Sequence, residues 1–382
     1  MEVDLIKAIG MYIFCGSQTI GHLLEGWEID TILEMTDNML NQNAYHFHKN
    51  YPEINIKLPK DYENNEEYLE SLTNKYDLLY ANPPCSGLST INKNASVECS
   101  INQYIYKVAN MVSKIQPKTF LIENAPTLTS RGLPILKDIS KTLNDYYLLI
   151  INDIAGNHNV PMYRRRTFVV GFNKKYFSGI PKISTEHVEA SIYDILANID
   201  YTYNKEFAKG TDEYIFSYYK NIKPGQILYT TLAQNNITGL PAKHQTQVDH
   251  IKSNLNSGNR VWDKSPYRPK NKNIQSLASV VRIMHPTEDR DFYVREYAAM
   301  MGYPDDFIFY QDACRTPVIQ CIAQGVPVNF IRYISRQIKN SFDSKDFIEG
   351  EIVYINQTNP ENIKMAIYKN RKDFINTPAI YL

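Results

Sequence analysis

The chain lacks the features of a membrane or secreted protein. None of its apolar runs approaches the roughly 20 residues that a membrane-spanning helix needs. Its first residues, MEVDLIKAIGMYIFCG, lack the charged and then apolar segments of a secretory signal. At 382 residues the chain is long enough to bury a core. We therefore expect a folded cytoplasmic protein with no membrane partner.

Cysteine is scarce and irregularly placed. The sequence has five cysteines, with neither a CxxC pair nor an array of Cys and His spaced like zinc ligands. An odd number of cysteines at irregular spacings favours reduced thiols over a disulfide framework. We expect no metal site.

Net charge is also absent, since 41 basic residues balance 41 acidic ones, so total charge indicates no nucleic-acid partner. The distribution is uneven. From Phe216 to Lys272, nine Lys and Arg residues stand against two Asp residues, which gives this stretch a net charge of plus seven. A basic stretch suits contact with phosphates, because neutralising them releases counterions. Solvated surface lysines are the alternative explanation.

The N-terminal half alternates apolar runs with polar or amphipathic segments. This alternation predicts an α/β fold, in which helices cover a parallel sheet. In such sheets ligands bind beyond the carboxyl ends of the strands, so chemistry is expected directly after the apolar runs. The runs are MYIF, WEIDTILEM, YDLLYA, TFLIENA, YYLLIIND and TFVVGF.

The alternation ends with the first domain, residues 1–172. Residues 173–275 are rich in Asn, Lys, Tyr and Gly with short apolar runs, which predicts an inserted domain of different construction. Residues 276–342 are expected to return to the first domain, with a helix near residues 329–338 packing on it. Residues 343–382 contain the strand-like runs EIVYI and MAIY, and the sequence leaves their role open.

Two reactive side chains accompany these runs. In YDLLYANPPCSGLST, Cys85 lies in a loop that Pro83 and Pro84 stiffen, so its thiol has little freedom. A lone cysteine is structural more often than catalytic, so that reading stays open. In TFLIENAPTL, Glu123 directly follows an apolar run and would face the same edge as Cys85. Partial burial there could raise its pKa enough for proton donation, and capping of the next helix is the alternative.

Two arginines precede the last run. Arg164 and Arg166 in NVPMYRRRTFVVGF are two residues apart, so they point to one side of a strand. Guanidinium groups there can hold a phosphate, a carboxylate or a base carbonyl, although a surface ion pair is commoner. A thiol, an acid and paired guanidiniums together suit attack on C6 of a pyrimidine. The thiolate adds to C6, the acid engages N3, and C5 becomes nucleophilic enough to take a methyl group.

These motifs resemble those of the cytosine C5 DNA methyltransferase family over residues 11 to about 338. ANPPCSGLS resembles the family's Pro-Cys loop, and LIENAP its Glu-Asn-Val motif with Ala125 in place of valine. VPMYRRRTFVVGF is similar to its Gln-x-Arg-x-Arg motif, with Met162 in place of glutamine. HPTEDRDFYVREYAAMMGYPDDF resembles the helix whose Arg-Glu pair, here Arg295 and Glu296, orders the recognition domain. HQTQVDHIKSNLNSGNRVWDKSP resembles a segment of that recognition domain.

The resemblance implies a Rossmann-like class I methyltransferase domain with a mostly parallel sheet and a smaller inserted target-recognition domain. It implies that Cys85 forms a covalent adduct and that Glu123 contacts N3. Arg166 would hold the base carbonyl, and Arg164 would support the site and a nearby phosphate. The implied partner is double-stranded DNA, bound by a monomer that swings the target base out at a cost on the order of a few kcal/mol.

The implied cofactor is S-adenosylmethionine, and its motifs match least well. IFCGSQTIGHLLEGWEI resembles the family's Phe-x-Gly-x-Gly-Gly opening, with Phe14, Gly16 and Gly21 in register only if about two residues are deleted. Residues 17–19 then occupy a turn where glycine would let the backbone approach the ligand. IAQGVPVNF resembles the family's Ile-Gly-Asn-x-Val-Pro motif, with Ala323 and Gln324 in place of Gly-Asn. The other residues implied to bind the cofactor are Glu34 at the ribose hydroxyls, Met35 against adenine, Pro83, Gln324 and Val326.

These departures leave several interpretations open. A divergent but active DNA methyltransferase is favoured, because a pure binding module gains nothing from the nucleophile Cys85. A changed cofactor or transferred one-carbon group, and a catalytically silent DNA-binding module, are the alternatives. A tRNA cytosine C5 methyltransferase is another, but that branch's Cys-Phe-Thr signature is absent and the recognition segment is long and rich in Lys and Tyr. Asn and Lys usage is compatible with an AT-rich bacterial, phage or viral genome, and the target site and any restriction partner are not readable.

Overall fold

The computed structural model describes most of the chain. The described residues are 6–36, 42–89, 92, 94–185, 187–188, 190, 195, 197–199, 228–229, 294–309 and 321–380. The basic stretch from Phe216 to Lys272 lies outside them, apart from residues 228–229. Most of the expected recognition domain, residues 173–275, also lies outside them.

Thirteen strands are present within the described residues. They are β1 (Lys7–Met11), β2 (Glu28–Leu33), β3 (Asn55–Lys57), β4 (Leu78–Ala81), β5 (Thr119–Asn124), β6 (Tyr146–Ile154), β7 (Met162–Tyr163), β8 (Arg165–Asn173), β9 (Ile180–Pro181), β10 (Leu228–Tyr229), β11 (Phe347–Ile348), β12 (Ile352–Asn356) and β13 (Lys364–Tyr368). Nine of them form one sheet in the order β13-β12-β6-β8-β5-β4-β1-β2-β3. The sheet is mostly parallel, because only β8 and β13 run against their neighbours.

Helices cover both faces of this sheet. They are α1 (Ser17–Leu24), α2 (Gln42–Asn50), α3 (Pro59–Tyr62), α4 (Glu66–Leu72), α5 (Gln103–Ile115), α6 (Leu133–Thr142), α7 (Val294–Met300), α8 (Val328–Ser341) and α9 (Arg371–Asn376). In the described ranges no helix has both the length and the apolar character needed to cross a membrane.

The alternation of side chains along the strands divides the core in two. In β5, Leu121 belongs to one apolar cluster, together with residues of α1, α2, α7 and α8. Its neighbours Phe120 and Ile122 belong to the other cluster, with residues of α4, α5, α6 and α9. All six residues of β5 are buried. This three-layer arrangement confirms the α/β fold expected from the apolar runs.

The first strand lies earlier than the sequence pattern predicted. The run MYIF was expected to form it, but β1 ends at Met11. Tyr12 and Phe14 have φ angles of 59° and 50°, in the left-handed region that ends a strand. The run is apolar because its residues are buried in the turn after β1, where Tyr12 and Ile13 are 2% and 1% exposed.

The last forty residues extend the same sheet. β12 lies parallel to β6, and β13 pairs with β12 in the antiparallel direction. Arg371, at the start of α9, donates hydrogen bonds to the backbone carbonyls of Leu143 at 3.0 Å and Tyr146 at 2.6 Å. The sequence left the role of residues 343–382 open. In the structure they supply two strands to the sheet of the first domain.

Helices α1 and α8 pack closely against each other. A Cβ atom added to Gly21, in α1, would lie 2.6 Å from Cγ2 of Ile331 in α8. One turn further on, Ser335 accepts a hydrogen bond from Trp27 Nε1 at 2.8 Å and bonds His22 Nδ1 at 2.9 Å. Gly21 is thus a helix-contact residue within α1, and its expected contact with the cofactor stays a prediction. Glycine is used there because a larger residue would separate the helices.

Gly21→Ala should lower the free energy of unfolding by about 1–3 kcal/mol, because the new methyl group overpacks the helix contact. Urea unfolding of the two proteins measures this difference. Leu24→Ala, on the exposed side of the same helix, should change it by less than about 0.5 kcal/mol. Unchanged stability together with weaker cofactor binding would instead return Gly21 to the cofactor site.

Candidate active site

Three chain segments bring polar side chains to one edge of the sheet. β4 and β5 are parallel, so Cys85, which follows β4, and Glu123, near the end of β5, are carried to the same edge. β8 runs antiparallel to β5, so its first residues reach that edge as well. Arg166 is the second residue of β8 and Arg164 directly precedes it. The four expected catalytic residues therefore share one edge.

The nucleophile loop holds Cys85 in a tight turn. The backbone N–H of Leu88 donates to the carbonyl of Cys85 at 3.0 Å. Cys85 is free and partly exposed. Desolvation raises the pKa of its thiol, the charges of Arg166 and Arg164 oppose that rise, and the charge of Glu123 adds to it. The charges of Arg166, Arg164 and Glu123 therefore lie close enough to Cys85 to act on its thiol.

Glu123 is a buried acid, only 3% exposed. Its Oε1 lies 2.6 Å from Nε of Arg166, and its Oε2 accepts a hydrogen bond from the side-chain amide of Asn82. Burial raises the pKa of the carboxyl, while Arg166, Arg164 and the Asn82 hydrogen bond lower it. A carboxyl whose pKa is raised by burial keeps its proton to a higher pH than an exposed one, and here two partners also orient it.

Arg164 points into the protein. It is 2% exposed, and its Nη2 donates to the backbone carbonyls of Ala323 at 2.8 Å and Gly325 at 2.6 Å. Burial, aided by the charge of Arg166, lowers its pKa to about 9. The guanidinium thus fixes the loop before α8, and the expected support of the site and of a nearby phosphate by Arg164 stays a prediction.

Sequence reasoning missed two asparagines that join the nucleophile loop to the acid. Asn82 binds Glu123 as described, and Asn124 Nδ2 donates to the carbonyl of Pro83 at 3.2 Å. Asn124 Oδ1 in turn accepts from the N–H of Ala125 at 2.9 Å. Their positions at the ends of adjacent parallel strands were the available signal, since such residues face each other across the sheet edge.

The turn after β1 is built around Gly16. Its φ of 82° is a conformation that side chains disfavour, and a Cβ there would lie 2.0 Å from the Phe47 ring. Gly16 is also the N-cap of α1, which has no side-chain cap and no acidic residue in its first turn. The amide Nε2 and Oε1 of Gln18 are buried and find no hydrogen-bond partner in the described part of the chain. The start of α1 is thus suited to an anionic ligand group.

Glu34 lies beside this turn. Its Oε1 accepts from the N–H of Ile13 at 3.2 Å and its Oε2 from the N–H of Met35 at 3.1 Å. Tyr62 donates its hydroxyl to the Glu34 carbonyl at 2.6 Å. Burial raises the pKa of the Glu34 carboxyl to about 7, although the two backbone hydrogen bonds oppose that rise.

The loop before α8 packs on the start of α1. A Cβ atom on Gly325 would lie 2.2 Å from Oγ of Ser17. Val326 is buried and Gln324 is exposed. Pro83 is buried in the nucleophile loop. Through Arg164 this loop is also tied to the catalytic edge, so the expected cofactor residues and the expected catalytic residues belong to one connected region.

Metal ligands form no cluster at this edge. Across the described ranges, no group of three or more His, Cys, Asp and Glu side chains could hold a metal ion.

Solved structures identify the class of fold. Dnmt2 methyltransferase of S. pombe superposes with a TM-score of 0.53 at 13% identity, over 88% of this chain and 98% of that chain. A DNA modification methyltransferase structure from an E. coli prophage gives a TM-score of 0.52 at 19% identity, over 89% and 100%. At these identities the likeness shows the fold, which is that of a class I methyltransferase.

Sequence relatives identify the family. M.FnuDI, a type II methyltransferase of Fusobacterium nucleatum, is 23% identical over 91% of this chain and 98% of its own length. M.HindV, a type II methyltransferase of Haemophilus influenzae, is 25% identical over 88% and 97%. The family model for C-5 cytosine-specific DNA methylase matches residues 10–340. The chain belongs to this family and is a DNA cytosine C5 methyltransferase, as the motifs indicated.

Glu123→Gln should speed alkylation of Cys85 by iodoacetamide at pH 8. The substitution removes a negative charge that raises the pKa of the thiol, so more thiolate forms. Mass spectrometry of the Cys85 peptide over time measures the rate, and the peptide of Cys99, another partly exposed thiol, is the internal control. Equal rates at Cys85 in both proteins would show that the charge of Glu123 does not reach the sulfur.

Proposed function

We propose that this chain transfers the methyl group of S-adenosylmethionine to C5 of a cytosine swung out of duplex DNA, through a covalent bond between Cys85 Sγ and C6. The observation that supports this proposal is the sharing of one sheet edge by a partly exposed cysteine residue and a buried carboxyl paired with Arg166. This is the set of groups that addition to a pyrimidine ring requires.

Each residue has a distinct part in the proposed reaction. The Cys85 thiolate adds to C6, which forms the C–S bond and breaks the C5–C6 double bond. Glu123 gives its proton to N3, which receives the displaced charge, and Arg166 holds the base carbonyl. C5 would then bond to the methyl carbon as that carbon's bond to the cofactor's sulfonium sulfur breaks and a neutral thioether leaves. A base would take the C5 proton, N3 would return its proton to Glu123, and cleavage of the bond between Cys85 Sγ and C6 would restore the aromatic ring and the thiolate.

The cofactor would occupy the region between the turn after β1 and Glu34. S-Adenosylmethionine supplies the electrophilic methyl group when bound. Glu34 would accept hydrogen bonds from the ribose hydroxyls, with Phe14 and Met35 beside the adenine. The start of α1, including the unpartnered amide of Gln18, would bind the carboxylate end. The other proposed contacts of the cofactor are Gly16, Gly21, Pro83, Gln324 and Val326.

DNA would be bound by the same edge and by the inserted segment. The basic stretch from Phe216 to Lys272 would contact phosphates and give salt-dependent affinity. We assign the chain to type II modification, because the curated relatives carry that name.

Cys85→Ala should abolish methylation, because C5 of cytosine is not nucleophilic without addition at C6. Duplex DNA is incubated with protein and S-adenosylmethionine labelled in its methyl group, and the DNA is then hydrolysed for mass spectrometry. Wild-type protein should give labelled 5-methylcytosine and Cys85→Ala none. Cys99→Ala, which removes another partly exposed thiol, should retain activity.

Three outcomes would contradict the proposal. Label on the exocyclic amine would indicate an amino-methyltransferase. DNA binding without any product would indicate a silent binding module. Preferential methylation of tRNA in competition with duplex DNA would indicate an RNA substrate.

Cofactor affinity should fall about tenfold per pH unit below pH 7. Burial raises the pKa of Glu34 to about 7, so the carboxylate that accepts from the ribose hydroxyls becomes protonated as the pH falls through that value. Titration calorimetry between pH 5.5 and 8 measures the affinity. Glu34→Gln should bind more weakly at pH 8 and show no such dependence. A flat profile for the wild type would exclude Glu34 from the ribose site.

A further inference from the structure

Asn82 lies between the proposed nucleophile and the proposed acid. It directly follows β4, and Ala81, the last residue of that strand, is in register with Ile122 of β5. The same register places Asn82 opposite Glu123. Its backbone N–H donates to the carbonyl of Met11 at 3.1 Å, and the residue is 5% exposed. Asn82 is therefore held between the end of β1 on one side and the end of β5 on the other.

The Asn82 side chain binds the carboxyl oxygen of Glu123 that Arg166 does not pair with. Asn82 Nδ2 donates to Oε2, while Nε of Arg166 lies 2.6 Å from Oε1. Each carboxyl oxygen thus has its own partner, and the plane of the carboxyl is defined. An amide N–H can only donate, so this contact favours the ionised carboxyl over the protonated one.

Asn82 is the uncharged member of the group that faces Glu123. From β8 and the residue before it come the guanidiniums of Arg166 and Arg164, and from the nucleophile loop comes the thiol of Cys85. Changing either arginine would alter the charge of the site and the binding of the base together. Asn82→Ala instead removes one contact to the carboxyl without changing the charge of the site.

We propose that Asn82 is a positioning residue of the methyl transfer: its side-chain amide orients the Glu123 carboxyl toward N3 of the base and governs the pH above which that carboxyl no longer gives a proton. This inference rests on the proposed role of Glu123. Asn82 acts through Glu123 and has no contact with reacting atoms of its own.

The pH dependence of single-turnover methylation tests this inference. A protonated Glu123 is required, so the rate falls as the pH rises through its pKa. Asn82→Ala removes a donor to the carboxylate, which raises that pKa and should move the alkaline limb upward by about one pH unit. Asn82→Asp is isosteric and places a second carboxyl beside the first, so it should move the limb further. Loss of orientation should also lower the plateau rate of Asn82→Ala about tenfold.

Asn152→Ala is the matched control. Asn152 is also 5% exposed, but its amide donates to Thr129 at 2.9 Å and Tyr354 at 2.8 Å, away from Glu123. Its loss should lower the melting temperature and leave the alkaline limb in place. If Asn82 had only a structural role, Asn82→Ala would likewise lower the melting temperature and leave the alkaline limb in place.

A second readout follows the covalent adduct directly. Duplex DNA with 5-fluorocytosine at the target should retain the C–S bond after methyl transfer, because fluorine replaces the proton that must leave. In each Asn82 variant, the alkaline limb of the pH profile of adduct formation should shift by the same amount as the alkaline limb of methylation. If both Asn82 variants fold and their alkaline limbs stay where the wild-type limb lies, the role of Asn82 is overturned and the proposed function is not. Absence of both product and adduct in the wild type would overturn the proposed function as well.

Discussion

The buried carboxyl of Glu123 is the group around which the active edge is organised. An ionised carboxyl out of water costs several kcal/mol unless it is paired and hydrogen-bonded. Its pairing with Arg166 and Asn82 ties the end of β5 to the start of β8 on one side and to the end of β4 on the other. Arg164 extends the cluster to the loop before α8, which packs on the start of α1. One region of charge thus connects the expected base site with the expected cofactor site.

The central strands and the reactive edge could be predicted from the sequence for a simple reason. Strands buried on both faces are continuous apolar runs, and the residues after them must lie at the sheet edge. β4, β5 and β8 match their runs, so Cys85, Glu123 and Arg166 were selected by position. The same rule gave no information on which side chains bond to each other, which is why Asn82 and the bonds from Arg164 to the loop before α8 were overlooked.

Other differences between expectation and structure arise from residues whose type has two physical uses. Gly21 was assigned to the cofactor because glycine permits close approach, and in the structure the group that approaches it is Ile331 of another helix. The run MYIF was read as a strand because it is apolar, although burial of Tyr12 in a turn requires the same composition. Neither case could be decided without the packing partner, which is distant in sequence.

The position of β12 and β13 also bears on how the sheet of this enzyme is bordered. The family match stops at residue 340, yet the sheet continues through two later strands. A version shortened to the family boundary would leave β6 as an open border, with its backbone donors and acceptors unpaired and its apolar side chains uncovered. Such borders recruit strands from other molecules. Residues 352–368 thus cover β6, a strand of nine residues, and move the border of the sheet to β13, a strand of five.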